Sequence, residues 1–414
     1  MGPIALFDKS FLQSLSEEES IWFDHFFIAN VCPIFYVETQ ADLAKEDSKW
    51  LTVEQLVERI ALKFPEFSGA PNAYHPGICT AELRGDNVPM QGQIILAGGA
   101  KGSVGGHAVV IHPESPEARA FLRWTQRQFG EEERRLGEIW RNSPYGTDTS
   151  VIIDHLKKIG VYTDAGRPTL ADVATEAERV FSQLTPDQKM EGVLQLLGVY
   201  EEHKLEILER YMAAGRKHLE TFAPYTAFVL HLELFYHIAV HKGRMGPAQR
   251  LDMLYLCYLP FCEFFVSTDW VHRECAPFFL RDDQQFVWGA DLKSALKELN
   301  GRYAALPDAE SKSIKELAPK PPVEGDNLVT QIWDRHHPKW RVPRVIDSKE
   351  LQEEIAWLQA QPEKLGEILA SGGDPSLSPE SFDVIATTRT VRRKRGRWKI
   401  VPDEQLRSSP DSSE

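Results

Sequence analysis

Four acidic residues of this chain are placed where their carboxylates could bind a divalent metal ion. Three of them directly follow, or lie just beyond, short apolar segments that predict buried β-strands, and the fourth lies early in a predicted helix. They are Asp8, Glu38, Asp269 and, in the helix, Asp252. In open α/β sheets, ligands bind outside the carboxyl ends of the strands, so acids placed at these ends should meet. Because Mg²⁺ and Mn²⁺ prefer oxygen ligands, the set predicts a Mg²⁺ or Mn²⁺ site.

The elements that must position these acids lie at both ends of residues 1–300. Apolar runs predict a first strand over 3–8, a second over 31–37 and a last one over 262–267. A helix predicted over 247–262 carries Asp252. Ser16, followed by Glu19 three residues later, predicts a capped helix directly after the first strand.

This arrangement resembles the PIN-like nuclease family. In that family a first strand ends in Asp, a Glu follows further along the chain, an Asp lies in a late helix, and a final strand is followed by Ser/Thr-x-Asp. The matching residues here are Asp8, Glu38, Asp252 and Ser267-Thr268-Asp269. The resemblance covers about residues 3–45 and 247–290, and the long intervening stretch departs from compact members of the family. It implies an α/β fold, a PIN-like parallel sheet flanked by helices, with insertions and a C-terminal tail.

The implied activity is metal-dependent hydrolysis of nucleic-acid phosphodiester bonds, with RNA favoured over DNA as the substrate. One or two Mg²⁺ or Mn²⁺ ions would activate a water molecule and stabilise the leaving oxygen. Asp8 and Asp269 would be direct ligands, and Glu38 and Asp252 would complete the ring directly or through water. Ser267 would hydrogen-bond within the acidic site. Taken singly, each acid has a simpler interpretation as a helix cap or a surface residue.

The resemblance and the composition together predict four regions. A PIN-like core would comprise 1–70 and 244–303, with a β-rich insertion over 71–115 and a helical insertion over 116–243. Residues 304–414 would form a linker and a partly disordered tail. The segment 225–241 is apolar nearly all round, so it should be a buried helix.

Two other functions remain open from the sequence. The first is a catalytically inactive PIN-like interaction protein, with the helical insertion as the partner surface. The second is a helical metalloprotein, because Glu233, His237 and His241 are spaced by four residues and could share one helix face. Hydrogen-bonded core histidines are the alternative for these positions. Asp42, four residues after Glu38, would either share a helix face with it or form a salt bridge.

A basic segment near the C-terminus contrasts with the formal net charge of −14. Its bases can contact phosphates and its tryptophan can stack on a base, which predicts nucleic-acid binding. The residues concerned are Arg392, Arg393, Lys394, Arg395, Arg397 and Trp398. The alternative is a solvated tail, or one bound to the acidic body of the protein. The scattered cysteines and the lack of a long apolar run predict reduced thiols, a cytoplasmic location and no membrane span.

Overall fold

A computed structural model describes residues 2–65, 69–96, 100–104, 107–111, 116–142, 148–163, 168–307, 312–342, 371, 390–394 and 397–401. Its strands are β1 Ile4–Phe7, β2 Ile28–Val31, β3 Ala70–Pro71, β4 Ala100–Val104, β5 His107–Ile111, β6 Phe264–Ser267, β7 Gln285–Trp288, β8 Thr390–Lys394 and β9 Arg397–Val401. Its helices up to residue 196 are α1 Lys9–Ser14, α2 Glu17–Phe26, α3 Pro33–Ala41, α4 Val53–Ala61, α5 His75–Arg84, α6 Pro116–Trp124, α7 Glu131–Asn142, α8 Thr149–Lys158, α9 Leu170–Gln183 and α10 Pro186–Leu196. Those that follow are α11 Lys204–Ala213, α12 Leu219–Phe222, α13 Pro224–His241, α14 Arg250–Tyr255, α15 Trp270–Cys275, α16 Gly289–Ala304, α17 Ile314–Leu317 and α18 Leu328–His336.

One five-stranded sheet organises the α/β fold, and all its pairings are parallel. Its strand order is β3-β2-β1-β6-β7. The chain therefore proceeds outward in one direction from β1 to β3, then returns to the other side of β1 with β6. This reversal between β1 and β6 is a topological switch point, where open α/β sheets bind their ligands. The predicted α/β class with a parallel sheet is confirmed.

Aromatic packing fixes β1 against the helices that follow it. The Phe7 ring contacts Phe23 of α2 and Phe35 of α3, with ring centroids 5.7 and 5.2 Å apart in edge-to-face geometry. Such pairs add about 0.5–1.5 kcal/mol beyond the burial of their area. Helix α2 begins with the predicted capping box, in which Ser16 accepts from the Glu19 amide and the Glu19 side chain accepts from the Ser16 amide. That local prediction is confirmed.

The predicted strand over 31–37 is wrong. Strand β2 ends at Val31, and helix α3 begins at Pro33, so Glu38 lies inside a helix rather than after a strand. Proline is favoured in the first turn of a helix, because its fixed φ suits the helix and its missing N–H has no partner there. A short apolar run fits a buried helix as well as a strand, and here the helix prevails.

Two further elements differ from the predictions. The segment predicted as a helix over 247–262 is a short α14 between two 3-10 turns, and Pro260 lies within the second. The strand predicted as the last one, β6, is followed by a further strand, β7.

Helix α13 is buried along most of its length, as its sequence predicts. Its first turn is held by the buried carboxylate of Glu82 in α5, which accepts hydrogen bonds from the Tyr225 amide, the Thr226 amide and the Thr226 hydroxyl at 2.8–3.0 Å. A carboxylate at a helix N-terminus is favourable, since it satisfies free N–H groups and complements the helix dipole.

All five cysteines are unpaired and buried, in agreement with the prediction of reduced thiols. Within the part of the chain that the structure describes, every helix is too short or too polar to cross a lipid bilayer.

Candidate functional site

Asp8 lies between the last residue of β1 and the first residue of α1, at the carboxyl edge of the sheet. Its amide donates to the carbonyl of Val266, so the pairing with β6 continues up to this residue. One carboxylate oxygen accepts from the Phe11 amide at 2.9 Å and thereby caps α1. The other accepts from the hydroxyls of Ser10 at 2.6 Å and Ser267 at 2.8 Å. The Asp8 carboxylate is therefore buried and fixed in position.

Ser267 links the two acids that follow the adjacent strands β1 and β6. Its hydroxyl donates to Asp8, and its oxygen accepts from the Asp269 amide at 2.8 Å. The Asp269 carboxylate accepts from the Val271 amide at 2.7 Å and caps α15. The residues Ser267-Thr268-Asp269 thus lie at the switch point of the sheet, where the sequence pattern predicts them.

His272 is a site residue that the sequence analysis missed. Its Nδ1 lies 2.8 Å from the Ser267 hydroxyl and 3.3 Å from the Asp8 carboxylate, while its Nε2 lies 2.9 Å from the carbonyl oxygen of Asp252. Burial lowers the pKa of His272, but the hydrogen bond and charge of Asp8, together with Asp252, outweigh it and raise the pKa to about 9. The ring is therefore an imidazolium cation at neutral pH.

The same contacts keep Asp8 ionised. Burial raises the pKa of its carboxyl, but the hydrogen bond and charge of His272, with the bonds from Ser10 and Phe11, hold the pKa below its usual range. A carboxylate that accepts several hydrogen bonds beside a cation is the expected case of such a shift.

Glu38 faces the same edge from helix α3. One of its carboxylate oxygens lies 3.1 Å from the ammonium of Lys9, and the other accepts from the Tyr255 hydroxyl at 2.8 Å. The Lys9 ammonium also contacts both oxygens of the buried Asp42, at 3.0 and 3.1 Å. Asp42 is further paired with Lys45 at 2.6 Å, so it is salt-bridged, one of the two interpretations that the sequence left open.

Lys9 is the second site residue that the sequence analysis missed. Burial lowers the pKa of its ammonium, but Glu38 and Asp42 outweigh this effect and raise the pKa above its usual range. Lys9 is therefore a permanent cation inside the acidic site. A lone lysine has no spacing signature, and the only signal in the sequence is its unusual position directly after a strand-ending Asp.

Asp252 lies in the first turn of α14 and is half-buried. Burial raises the pKa of its carboxyl, the positive charge of His272 lowers it, and the negative charges of Asp269, Glu38 and Asp8 raise it, to about 7. The three predicted acids are thus close enough to Asp252 to repel its ionised form. Burial and the charges of the other three acids therefore act together on the carboxyl of Asp252.

The donor set suits a hard divalent cation in its chemistry. Clustered carboxylates repel one another, and a bound dication relieves that repulsion. The side chains as they lie are not arranged as a coordination shell: among the described residues, no three His, Cys, Asp or Glu side chains form a group that could hold a metal ion. In this arrangement Lys9 and His272 supply the positive charge beside Glu38 and Asp8.

The Glu233, His237 and His241 set has a different role. Glu233 is a buried partner of Arg250, and its other oxygen lies 3.8 Å from His237 Nε2. His237 Nδ1 lies 3.0 Å from the hydroxyl of Thr149, and burial lowers the pKa of this imidazole, which is therefore neutral. The carboxylate of Glu233 thus compensates the charge of Arg250, which fixes α14, and does not serve a metal held by two histidines.

The basic segment is described only in its backbone. Strands β8 and β9 pair antiparallel, with Arg393 opposite Trp398 and Lys394 opposite Arg397. Arg395 lies outside the described residues. The predicted contact of this segment with nucleic acid stays a prediction.

No protein-family model, curated protein or solved structure matches this chain. What the protein does must therefore be inferred from the chemistry of its acidic site.

Proposed function

We propose that this protein is a PIN-like, metal-dependent nuclease that hydrolyses phosphodiester bonds, with RNA the favoured substrate. One observation carries the proposal. At the switch point between β1 and β6, where this class of sheet binds ligands, the Ser267 hydroxyl donates to the Asp8 carboxylate and accepts from the backbone amide of Asp269. Asp252 and Glu38 add two further carboxylates from α14 and α3.

The residues that would hold the ion are Asp269, Asp252 and Asp8, with Glu38 beside them. When bound, Mg²⁺ or Mn²⁺ supplies an activated water and stabilises charge on the leaving oxygen. Asp252 must give up its proton to serve as a ligand, and because its pKa is raised to about 7 it would do so only near neutral pH and above.

The neighbouring side chains keep these carboxylates in place. His272 holds its proton and keeps Asp8 ionised, while Ser267 fixes the distance between the two strand ends. Tyr255 donates to Glu38 and so limits its rotation. The chain thus supplies an array of negative oxygen atoms that would hold a divalent cation, and this cation would supply the stabilisation of negative charge that the reaction requires.

The decisive experiment is a cleavage assay with labelled single-stranded and duplex RNA and DNA, in Mn²⁺, in Mg²⁺ and in chelator. Asp269→Asn is the informative variant, because asparagine is also a good helix cap and should preserve α15. We expect cleavage to fall by about 10²-fold or more, the order of loss found when one key stabiliser of charge is removed. Asp154→Asn, an exposed position on α8, is the matched control.

Unchanged cleavage by the double variant Asp8→Asn/Asp269→Asn would show that any activity comes from elsewhere. Failure of the wild type to cleave any of the substrates, with or without metal, would reject the nuclease proposal.

A catalytically inactive PIN-like interaction protein is the second candidate, and one observation favours it. The cations of Lys9 and His272 compensate Glu38 and Asp8 from within, so the acidic site can exist without metal. Under this alternative the folded wild type neither cleaves nucleic acid nor binds Mn²⁺, and a protein partner would bind the helical insertion.

A further inference from the structure

Lys9 occupies a position that ordinary helix energetics disfavour. It is the first residue of α1, where the partial positive charge of the helix end repels a cation. Its side chain is only 8% exposed, and a buried charge is costly unless it is paired. A residue that breaks two local preferences at a candidate site usually has a function there.

The surroundings of the Lys9 ammonium consist of carboxylate and carbonyl oxygens. Glu38 contributes a carboxylate oxygen at 3.1 Å and its backbone carbonyl at 3.2 Å, and Asp42 contributes both carboxylate oxygens at 3.0 and 3.1 Å. Four oxygens of these types around one positive centre are also the kind of ligands that a hard divalent cation selects. The ammonium therefore fills a place that is chemically suited to a metal ion.

The charges on this side of the acidic site balance without a metal. Glu38 and Asp42 carry two negative charges, and Lys9 and Lys45 carry two positive ones within 2.6–3.1 Å of them. Both carboxylate oxygens of Glu38 already have a partner, since one contacts the Lys9 ammonium and the other accepts from the Tyr255 hydroxyl. Among the described residues, Asp252 and Asp269 have no such ion pair, whereas Asp8, Glu38 and Asp42 each have one. The acids without a paired cation are thus Asp252 and Asp269.

We propose that Lys9 is a built-in counter-cation that takes the place of a second divalent ion beside Glu38, so that the site accepts a single divalent ion near Asp252 and Asp269. Lys9 is a positioning residue in this scheme, since it fixes Glu38 and excludes a metal from it. The proposal rests on the proposed function only in that the wild type binds a divalent ion at all.

The test is a Mn²⁺ titration of the full-length protein, in which the electron paramagnetic resonance signal reports free Mn²⁺. Wild type and Lys9→Arg should each bind one ion, because both keep the charge. Lys9→Met should bind one additional ion, and adding Glu38→Gln to it should remove that ion. Lys9→Gln, which is uncharged but can still donate to Glu38 and Asp42, should behave like Lys9→Met and serves if the methionine variant does not fold.

The outcomes for Lys9 and for the nuclease proposal are separable. An unchanged number and affinity of bound Mn²⁺ ions in folded Lys9→Met and Lys9→Gln overturns the role of Lys9, and so does a wild type that binds two ions. A wild type that binds none rejects the nuclease and the single-ion site together, while one ion in the uncharged Lys9 variants would still support Lys9 as the counter-cation of Glu38. Asp154→Asn, at an exposed position on α8, should match the wild type throughout.

Discussion

Replacing Asp252 by asparagine should stabilise the folded protein in the absence of metal, and the gain should grow as the pH rises. In the unfolded chain Asp252 loses its proton near its ordinary pKa of 3.8, whereas the folded protein retains it up to about pH 7. Between these values the folded state binds more protons than the unfolded state, so each rise in pH weakens the wild type. Above pH 7 both states are ionised, and the penalty is constant. Asparagine carries no charge and escapes the penalty.

The size of the effect follows from the difference in pKa. A shift from 3.8 to about 7 corresponds to a ceiling of about 4 kcal/mol, at about 1.4 kcal/mol for each pH unit. Asp252 is half-buried, so solvent screens part of the repulsion and we expect a gain of about 1–2 kcal/mol at pH 8. At pH 5, about a third of the way from 3.8 to 7, only about a third of that gain should be present.

The assay is urea-induced unfolding at pH 5 and pH 8, with chelator present, for the wild type, Asp252→Asn and the control Asp154→Asn. The gain for Asp252→Asn should be larger at pH 8, while the control should change little at either pH. A variant that is less stable than the wild type at pH 8, or equally stabilised at both pH values, would refute the raised pKa of Asp252 that burial and the neighbouring acids cause. Added Mn²⁺ should stabilise the wild type more than Asp252→Asn, because a ligand that binds only the folded state raises stability.

Three other predictions concern the surroundings of the site. Glu82→Ala should destabilise the protein by about 2 kcal/mol in urea unfolding, because it leaves buried amide and hydroxyl donors at the start of α13 without an acceptor. His272→Gln should move the acidic limb of the pH–rate profile for cleavage to higher pH, since loss of the imidazolium raises the pKa of Asp252 further and also raises that of Asp8; an unmoved limb would contradict this. Truncation after Ala370 should raise the substrate concentration needed for cleavage and reduce the salt dependence of binding without loss of folding; an unchanged salt dependence would show that the basic segment does not contact substrate.

The strand ends could be predicted from the sequence because each is a short apolar run with an acid directly beyond it. Asp8 and Asp269 lie where that pattern predicts them, on adjacent strands. The element that carries Glu38 could not be assigned in the same way, because a short apolar run such as Ile34–Val37 fits a buried strand and one turn of a buried helix equally well. Pro33 was the available signal for the helix. Strand β7 was missed because its apolar run is only three residues long, Phe286 to Trp288, and most of its residues are half-buried.

The two cations of the site could not be found by pattern, because their partners come from distant parts of the chain. Lys9 meets Asp42 across 33 positions, and His272 meets the carbonyl of Asp252 across 20. Neither contact follows from a periodic spacing within one helix or strand. They exist only after β1 and β6 pair and bring α1, α3, α14 and α15 to the same edge of the sheet.

The internal cations also explain how so many acids can be gathered before any ion binds. Bringing Asp8, Glu38 and Asp42 out of water would be costly if their charges were unpaired. Lys9 and His272 compensate these charges within the fold, so the site is assembled by folding and does not depend on a metal for its assembly. The raised pKa of Asp252 leaves a carboxyl in the site that can exchange its proton for a divalent ion. In one part of the site, Asp8, Glu38 and Asp42 are therefore neutralised by cations of the protein itself. In the other part, the charge of Asp252 depends on whether a proton or a divalent ion is bound.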